Sequence, residues 1–289
     1  MSKPPKPTRK QHYVPQFYLR HFADGSGRLW ACRRGSDKTF STRIENVCCE
    51  RDLHEVRFSE GKAPSGYYMP NYVENHLSKM ESYLAKSYHK LLKDCDSGSI
   101  DLNDRLAASL LIAHLLVRHP KSIKEERGHA SDFLATWRED CEITPSEMRL
   151  LDASGWRGDD RALVELAIEN ALLLSGDESA PFFRLFELFA SKNICVARAL
   201  EESAFISAST PYFIVGPEDD SYEFDFAYMP LGSRCAVFFI SEDPAPLYAQ
   251  LKPSDVDRLN KALLLNAPLW ETAFAATQKP LQTAINGRS

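Results

Sequence analysis

The chain has 289 residues, of which 44% are hydrophobic and 26% charged, and its formal net charge is -5. This balance excludes disorder as the default state and supports a core that needs neither disulfides nor a structural metal. It also argues against wholesale wrapping by nucleic acid, and the longest apolar runs, such as 110–117 with His114 inside it, fall short of the ~20 residues that cross a bilayer.

Residues 1–10, MSKPPKPTRK, carry three prolines and four cations and predict a flexible basic arm, with order beginning at Gln11. Behind it stands QHYVPQFYLRHF, where Pro15 suits the first turn of a helix and Phe17, Tyr18, Leu19 and Phe22 form its apolar stripe. The run RLWACRR at 28–34, turn residues 35–37 and a return over 39–42 predict a hairpin. From Pro70 to about Lys93 the apolar positions Val73, Leu77, Met80, Leu84, Tyr88 and Leu91 recur every three or four residues, which predicts a long amphipathic helix. Asp101 offers the N-cap of a second helix that ends or kinks near Pro120, and a further piece runs to about Trp137. Helices are also expected over 146–151, 161–174 and 181–189, the last with Phe182, Phe183, Phe186 and Phe189 on a core face.

After Lys192 the period changes. ICVARAL, AFISAS, FIVG, FDFAYM and CAVFFI are short runs separated by turn-forming and charged residues, as in an antiparallel sheet, and a helix follows over about 254–265. The expected fold class is α+β: a hairpin and a mainly helical body (11–190), closed by a C-terminal sheet plus helix (191–289), as one domain or two lobes. Seven cysteines, an odd number without a regular framework and without an apolar leader, suit a reducing cytoplasm.

Several segments together carry a resemblance: QHYVPQFYLRHF, YVENHLSKMES with Glu74 and Glu81, LVRHP at 116–120, FISASTPYFI at 205–214 and MPLG at 229–232. In order and rough spacing they resemble the bacterial domain of unknown function family 4238. The resemblance implies a soluble, mostly prokaryotic protein, with a context of bacterial conflict or phage defence, and supplies no activity. One departure stands out: where the family looks to carry Thr-Ser-Asp-Asn-Pro, this chain has Ser207-Ala208-Ser209-Thr210-Pro211, so Ser209 replaces an acid.

Glu74 and Glu81 lie two helical turns apart on nearly one face, and such carboxylates, if buried, need a cation; Arg118 and Arg20 are the candidates. The structural reading is a carboxylate–arginine cluster that holds helices in register, with His12 as a capping or core histidine. The functional reading is a cleft in which His12, Glu74 and Glu81 are catalytic and Gln11, Arg20 and Arg118 bind substrate. His12 and His21 are not expected to share a site. A resemblance of His12, the hairpin, Asn46 and His54 to ββα-metal nucleases is a further alternative, requiring a divalent metal. Cys32, Cys48, Cys49 and His54 form no regular zinc pattern, and phosphate-loop, nucleophile-elbow and zincin motifs do not occur.

Two classes of function therefore remain. One is a binding or interaction component with a protein partner or, through Lys3, Lys6, Arg9 and Lys10, nucleic acid. The other is a metal-dependent, nuclease-like hydrolase of nucleic acid or nucleotide, with His12 as base. The first, which requires no cofactor, is preferred, and no membrane is expected as a partner.

Overall fold

A computed structural model of the chain describes residues 9–55, 71–128, 180–200, 202–216, 223–241 and 247–287. The basic arm to residue 8, the helices expected over 146–151 and 161–174, and the end of the piece running to Trp137 lie outside the described residues. Order starts one residue earlier than expected. Lys10–His12 (β1) pairs antiparallel with Cys49–Arg51 (β4), and Lys10 Nζ donates to Asn46 Oδ1 at 2.8 Å, so Lys10 belongs to the fold.

Pro15 turns out to be the N-cap, with φ −58° and ψ 141°, and the helix behind it is a single turn, Gln16–Leu19 (α1), running into a 3-10 turn over Arg20–Phe22. The expected hairpin forms from Arg28–Arg33 (β2) and Thr39–Arg43 (β3). Tyr72–Ser97 (α2) is the long amphipathic helix, burying Val73, Leu77, Leu84, Tyr88 and Leu91. Leu102–Val117 (α3) starts on a capping box: Asp101 accepts from the Asp104 backbone N–H at 3.0 Å, and the Asp104 carboxylate accepts from that of Asp101 at 2.8 Å. Lys90, reaching Asp94, Asp101 and Asp104 at 2.5–3.1 Å, ties α2 to the start of α3. A new helix (α4, described over 120–128) opens at Pro120.

Pro181–Ala190 (α5) buries Phe182 and Phe189, while Phe183 and Phe186 are half-buried. Next come Asn193–Ala199 (β5), Ser207–Ala208 (β6), Phe213–Val215 (β7), Phe226–Pro230 (β8), Cys235–Ile240 (β9), Tyr248–Leu251 (β10), Pro253–Asn266 (α6), Thr272–Ala275 (β11) and Gln278–Asn286 (α7). Five strands form one sheet in the order β10-β5-β9-β8-β7, antiparallel except for the β10–β5 pair. Alternation along β9 places Cys235, Val237 and Phe239 in the core shared with α2, α3 and α5, and Ala236 and Phe238 in a second core with α6 and α7. Both faces of this sheet are thus covered.

The fold class is α+β, with an N-terminal hairpin, a helical body and a C-terminal sheet. Its division is less sequential than expected, because β6 and β11 join the hairpin in a second sheet, β3-β2-β11-β6. QHYVPQFYLRHF sits where these parts meet. Tyr18, fully buried, donates to the Pro230 carbonyl at 2.5 Å and lies 2.9 Å from Ser207 Oγ, and Tyr88 donates to the Leu231 carbonyl. Gly232 packs so closely that a Cβ there would stand 3.2 Å from the Cβ of His21, so a larger residue at that point would have to displace His21 slightly. Among the cysteines, Cys95 and Cys235 are joined in a disulfide between α2 and β9, a pairing that the irregular spacing does not reveal.

Candidate functional site

Arg118 is the centre of a buried polar cluster. It caps the C-terminus of α3, is 1% exposed, and donates from one guanidinium nitrogen to Glu81 Oε1 on α2 and to His114 Nε2 at 2.9 Å. Its other terminal nitrogen donates to the backbone carbonyl of His12. One guanidinium fork therefore joins α2, α3 and β1, which are distant in sequence. Of the two acids on α2, Glu81 rather than Glu74 supplies the carboxylate that Arg118 binds, and the amino-terminal segment contributes the His12 carbonyl.

Around this fork lie more titratable groups than the sequence reading assembled. Gln11 is fully buried, its Oε1 accepting from the His54 backbone N–H at 2.6 Å and its Nε2 donating to Glu55 Oε1 at 3.3 Å. His54 and His114 are buried, and their imidazoles stay neutral well below the ordinary histidine range because burial disfavours their charge, with the field of Arg118 adding to the effect. Burial lowers His12 as well, against the pull of the Ile44 carbonyl and Glu81. Glu74 moves in the opposite sense: burial raises its carboxyl, and Arg118 only partly restores it. His12 Nε2, both ring nitrogens of His54, His114 Nδ1, Glu74 Oε2 and Arg118 Nε are buried without a hydrogen-bond partner among the described residues. Such a concentration of unsatisfied polar atoms is unusual for a core.

Other expected residues stand elsewhere. Arg20 is exposed and makes no ion pair or side-chain hydrogen bond among the described residues. His21 packs against Tyr88 and His89 and titrates at about 4, mainly through burial, separate from His12 as expected. Asn46 Oδ1 accepts from Lys10, and among the described residues no hydrogen bond links Asn46 to His12 or His54. Among the described residues no group of three or more His, Cys, Asp or Glu is arranged to hold a metal ion. His114 is the member of the cluster that sequence reasoning missed, its i, i+4 spacing to Arg118 on one helix being the available signal, while His54 was weighed only beside His12 in the nuclease resemblance and among the cysteines.

The residues next in sequence face the other way. Tyr13 follows His12, His119 follows Arg118, and both line an open cleft of about 720 Å³ together with Arg33, Arg34, Ser209 and Trp270. Tyr13 lies beside Ser209 and Cys48, and burial pushes its phenol up. His119 Nε2 is 3.2 Å from Thr210 Oγ1, and its Nδ1 accepts from the Lys121 backbone N–H at 3.3 Å, at the start of α4. Ser209 Oγ accepts from the backbone N–H groups of Glu271 at 2.8 Å and Thr272 at 3.3 Å. Ser209 thereby anchors the backbone of the 271–272 loop. Three resemblance segments, around Tyr13, His119 and Ser209, therefore border one cleft.

An α+β protein with a buried arginine hub behind an open cleft is the class that these features define. The chain belongs to the family described as protein of unknown function (DUF4238), which matches residues 10–279. No curated protein and no solved structure matches it. Among the described residues no helix is long and apolar enough to cross a membrane.

Proposed function

We propose that the protein is a binding component whose working surface is the cleft beside Tyr13 and His119, and that the cluster of Gln11, His12, Glu74, Glu81 and Arg118 is its internal support. The observation that carries this reading is the division of two consecutive pairs: His12 and Arg118 face the interior, while Tyr13 and His119 face the cleft. A guanidinium occupied by Glu81, His114 and a backbone carbonyl has little left to offer a substrate, but it holds the backbone of two cleft residues in place. The volume suits a small ligand or a short segment of a partner. A thermal-shift screen of the full chain against metabolites, peptides and oligonucleotides tests it. Ligands that raise the melting temperature should lose their effect in Leu269→Arg, which loads the lip of the cleft; a full effect in that variant overturns the reading.

A second reading, a metal-dependent hydrolase of nucleic acid or nucleotide with His12 as base and Glu74 and Glu81 as metal ligands, is favoured by the unsatisfied His12 Nε2 and Glu74 Oε2. It ranks second because Glu81 is occupied by Arg118. Labelled DNA and RNA incubated with magnesium or manganese, with His12→Ala and Glu74→Ala as controls, decide this. Cleavage lost in both variants while they stay folded would move the hydrolase ahead; cleavage that survives both removes these roles.

A further inference from the structure

The cleft carries chemistry that specifies a ligand. Four cations line it, Arg33, Arg34, Lys121 and Lys124, and both lysines are paired: Lys124 Nζ lies 3.1 Å from Glu50 Oε2, and Lys121 Nζ lies 3.3 Å from Glu125 Oε1. Arg33 and Arg34 have no carboxylate within ion-pair distance among the described residues. The guanidinium of Arg34 stands 5.7 Å from the centroid of the Trp270 ring, whose Nε1 donates to the Leu264 carbonyl at 2.9 Å. A guanidinium resting on an anchored indole is pre-organised, and its planar fork matches two oxygens of one phosphate.

The lip of the cleft supplies an apolar contact. Leu269 lines the cleft, is 47% exposed and has φ 53°, in the left-handed region that a leucine rarely adopts. The loop is held from both sides, by Ser209 Oγ on the backbone of Glu271 and Thr272 and by the indole hydrogen bond of Trp270. A leucine left half-exposed on the cleft lip by such a backbone is a candidate contact for a ligand. Facing it, Pro120 and Lys121 open α4 at the cleft wall, with the positive end of the helix dipole there.

We propose that this cleft takes a phosphate monoester carried on a planar ring, the chemistry of a nucleoside monophosphate, with the phosphate on Arg33 and Arg34 and the ring against Leu269 and Tyr13. The carboxylates select against longer anions. The four cations exceed Glu50, Glu125 and Glu271 by a single charge, so every further phosphate of a triphosphate or a nucleic-acid backbone adds negative charge that the lining does not offset. Glu271, which has no cation within ion-pair distance among the described residues, is placed to accept from a sugar hydroxyl. The proposal rests on the cleft being the binding surface.

Isothermal titration of the full chain with adenosine and uridine monophosphates, adenosine, inorganic phosphate, adenosine triphosphate and a single-stranded decanucleotide tests it. At least one monophosphate should bind at least tenfold more tightly than adenosine, phosphate, the triphosphate and the oligonucleotide. The Arg33→Gln, Arg34→Gln double variant should lose that binding with an unchanged melting temperature. Adenosine binding as tightly as its monophosphate overturns the phosphate assignment and leaves the cleft reading standing, as does binding of only the triphosphate or the oligonucleotide. Monophosphate binding that is unchanged both in the double variant and in Leu269→Arg places the ligand elsewhere and overturns the cleft reading with it. No binding by any probe overturns the ligand class alone.

Discussion

Replacing Arg118 by methionine keeps most of the side chain's volume but removes every hydrogen bond of the hub. The His12 carbonyl and His114 Nε2 lose a buried donor, and Glu81 loses its cation. Breaking a buried ion pair from one side costs about 3–5 kcal/mol, and each orphaned acceptor about 1–3 kcal/mol, although these terms overlap. The Glu81 side chain is 25% exposed and so can be partly rehydrated, which places the expected loss near 4 kcal/mol. For a chain of this size that is a fall in melting temperature of roughly 7 °C. Urea denaturation of Arg118→Met, of Glu81→Gln and of the double variant measures both the loss and the coupling. The double variant should lose less than the two single variants together, since it leaves no uncompensated charge. A loss below about 1 kcal/mol for Arg118→Met, or losses that simply add, would refute the assignment of Arg118 as the residue joining β1, α2 and α3.

Stability should depend on pH through the buried imidazoles. Below 6.5 the unfolded chain takes up protons at His54 and His114 that the folded chain refuses, so stability falls with falling pH by roughly 3 kcal/mol per unit for the two together, and their contribution is constant above 6.5. Glu74, with its folded-state carboxyl raised, opposes this: its contribution diminishes as pH rises from 4.5 through the raised value. A His54→Gln, His114→Gln variant with an unchanged slope between pH 6 and 5 would contradict this assignment. The Cys95–Cys235 disulfide spans 140 residues, for which the chain-entropy relation gives about 5 kcal/mol; Cys95→Ser, Cys235→Ser should therefore melt well below the oxidised protein, and reductant should lower only the latter. Equal melting temperatures would show that the bond adds no stability. Tyr18→Phe leaves the Pro230 carbonyl without the phenol's proton and should cost about 1–3 kcal/mol by chemical denaturation, whereas a surface phenol would cost almost nothing.

Much of the architecture was legible in the order of residues. The β2–β3 hairpin, the α2 stripe at Val73, Leu77, Leu84, Tyr88 and Leu91, the Asp101 cap and the helix opened by Pro181 all stand as expected. Each depends on neighbours no more than a few positions away, where spacing and caps act. The family was legible too, because its segments keep their order along the chain. Strands β10 and β11 and helix α7 were not read. β10 lies parallel to β5, and β11 completes a sheet begun by the hairpin some 240 residues earlier, so their short runs are stabilised by partners that no local pattern announces.

The candidate site divides in the same way. The sequence by itself determined that Glu74 and Glu81 share a helical face and that an arginine must answer a buried acid. Only the tertiary structure decided that Glu81 takes Arg118, that His54 and His114 join them, and that Tyr13, His119 and Ser209 border a common cleft. The physical reason is range. Backbone periodicity orients a side chain relative to residues within a turn or two, whereas the company it keeps across the core is set by how sheets and helices close on one another.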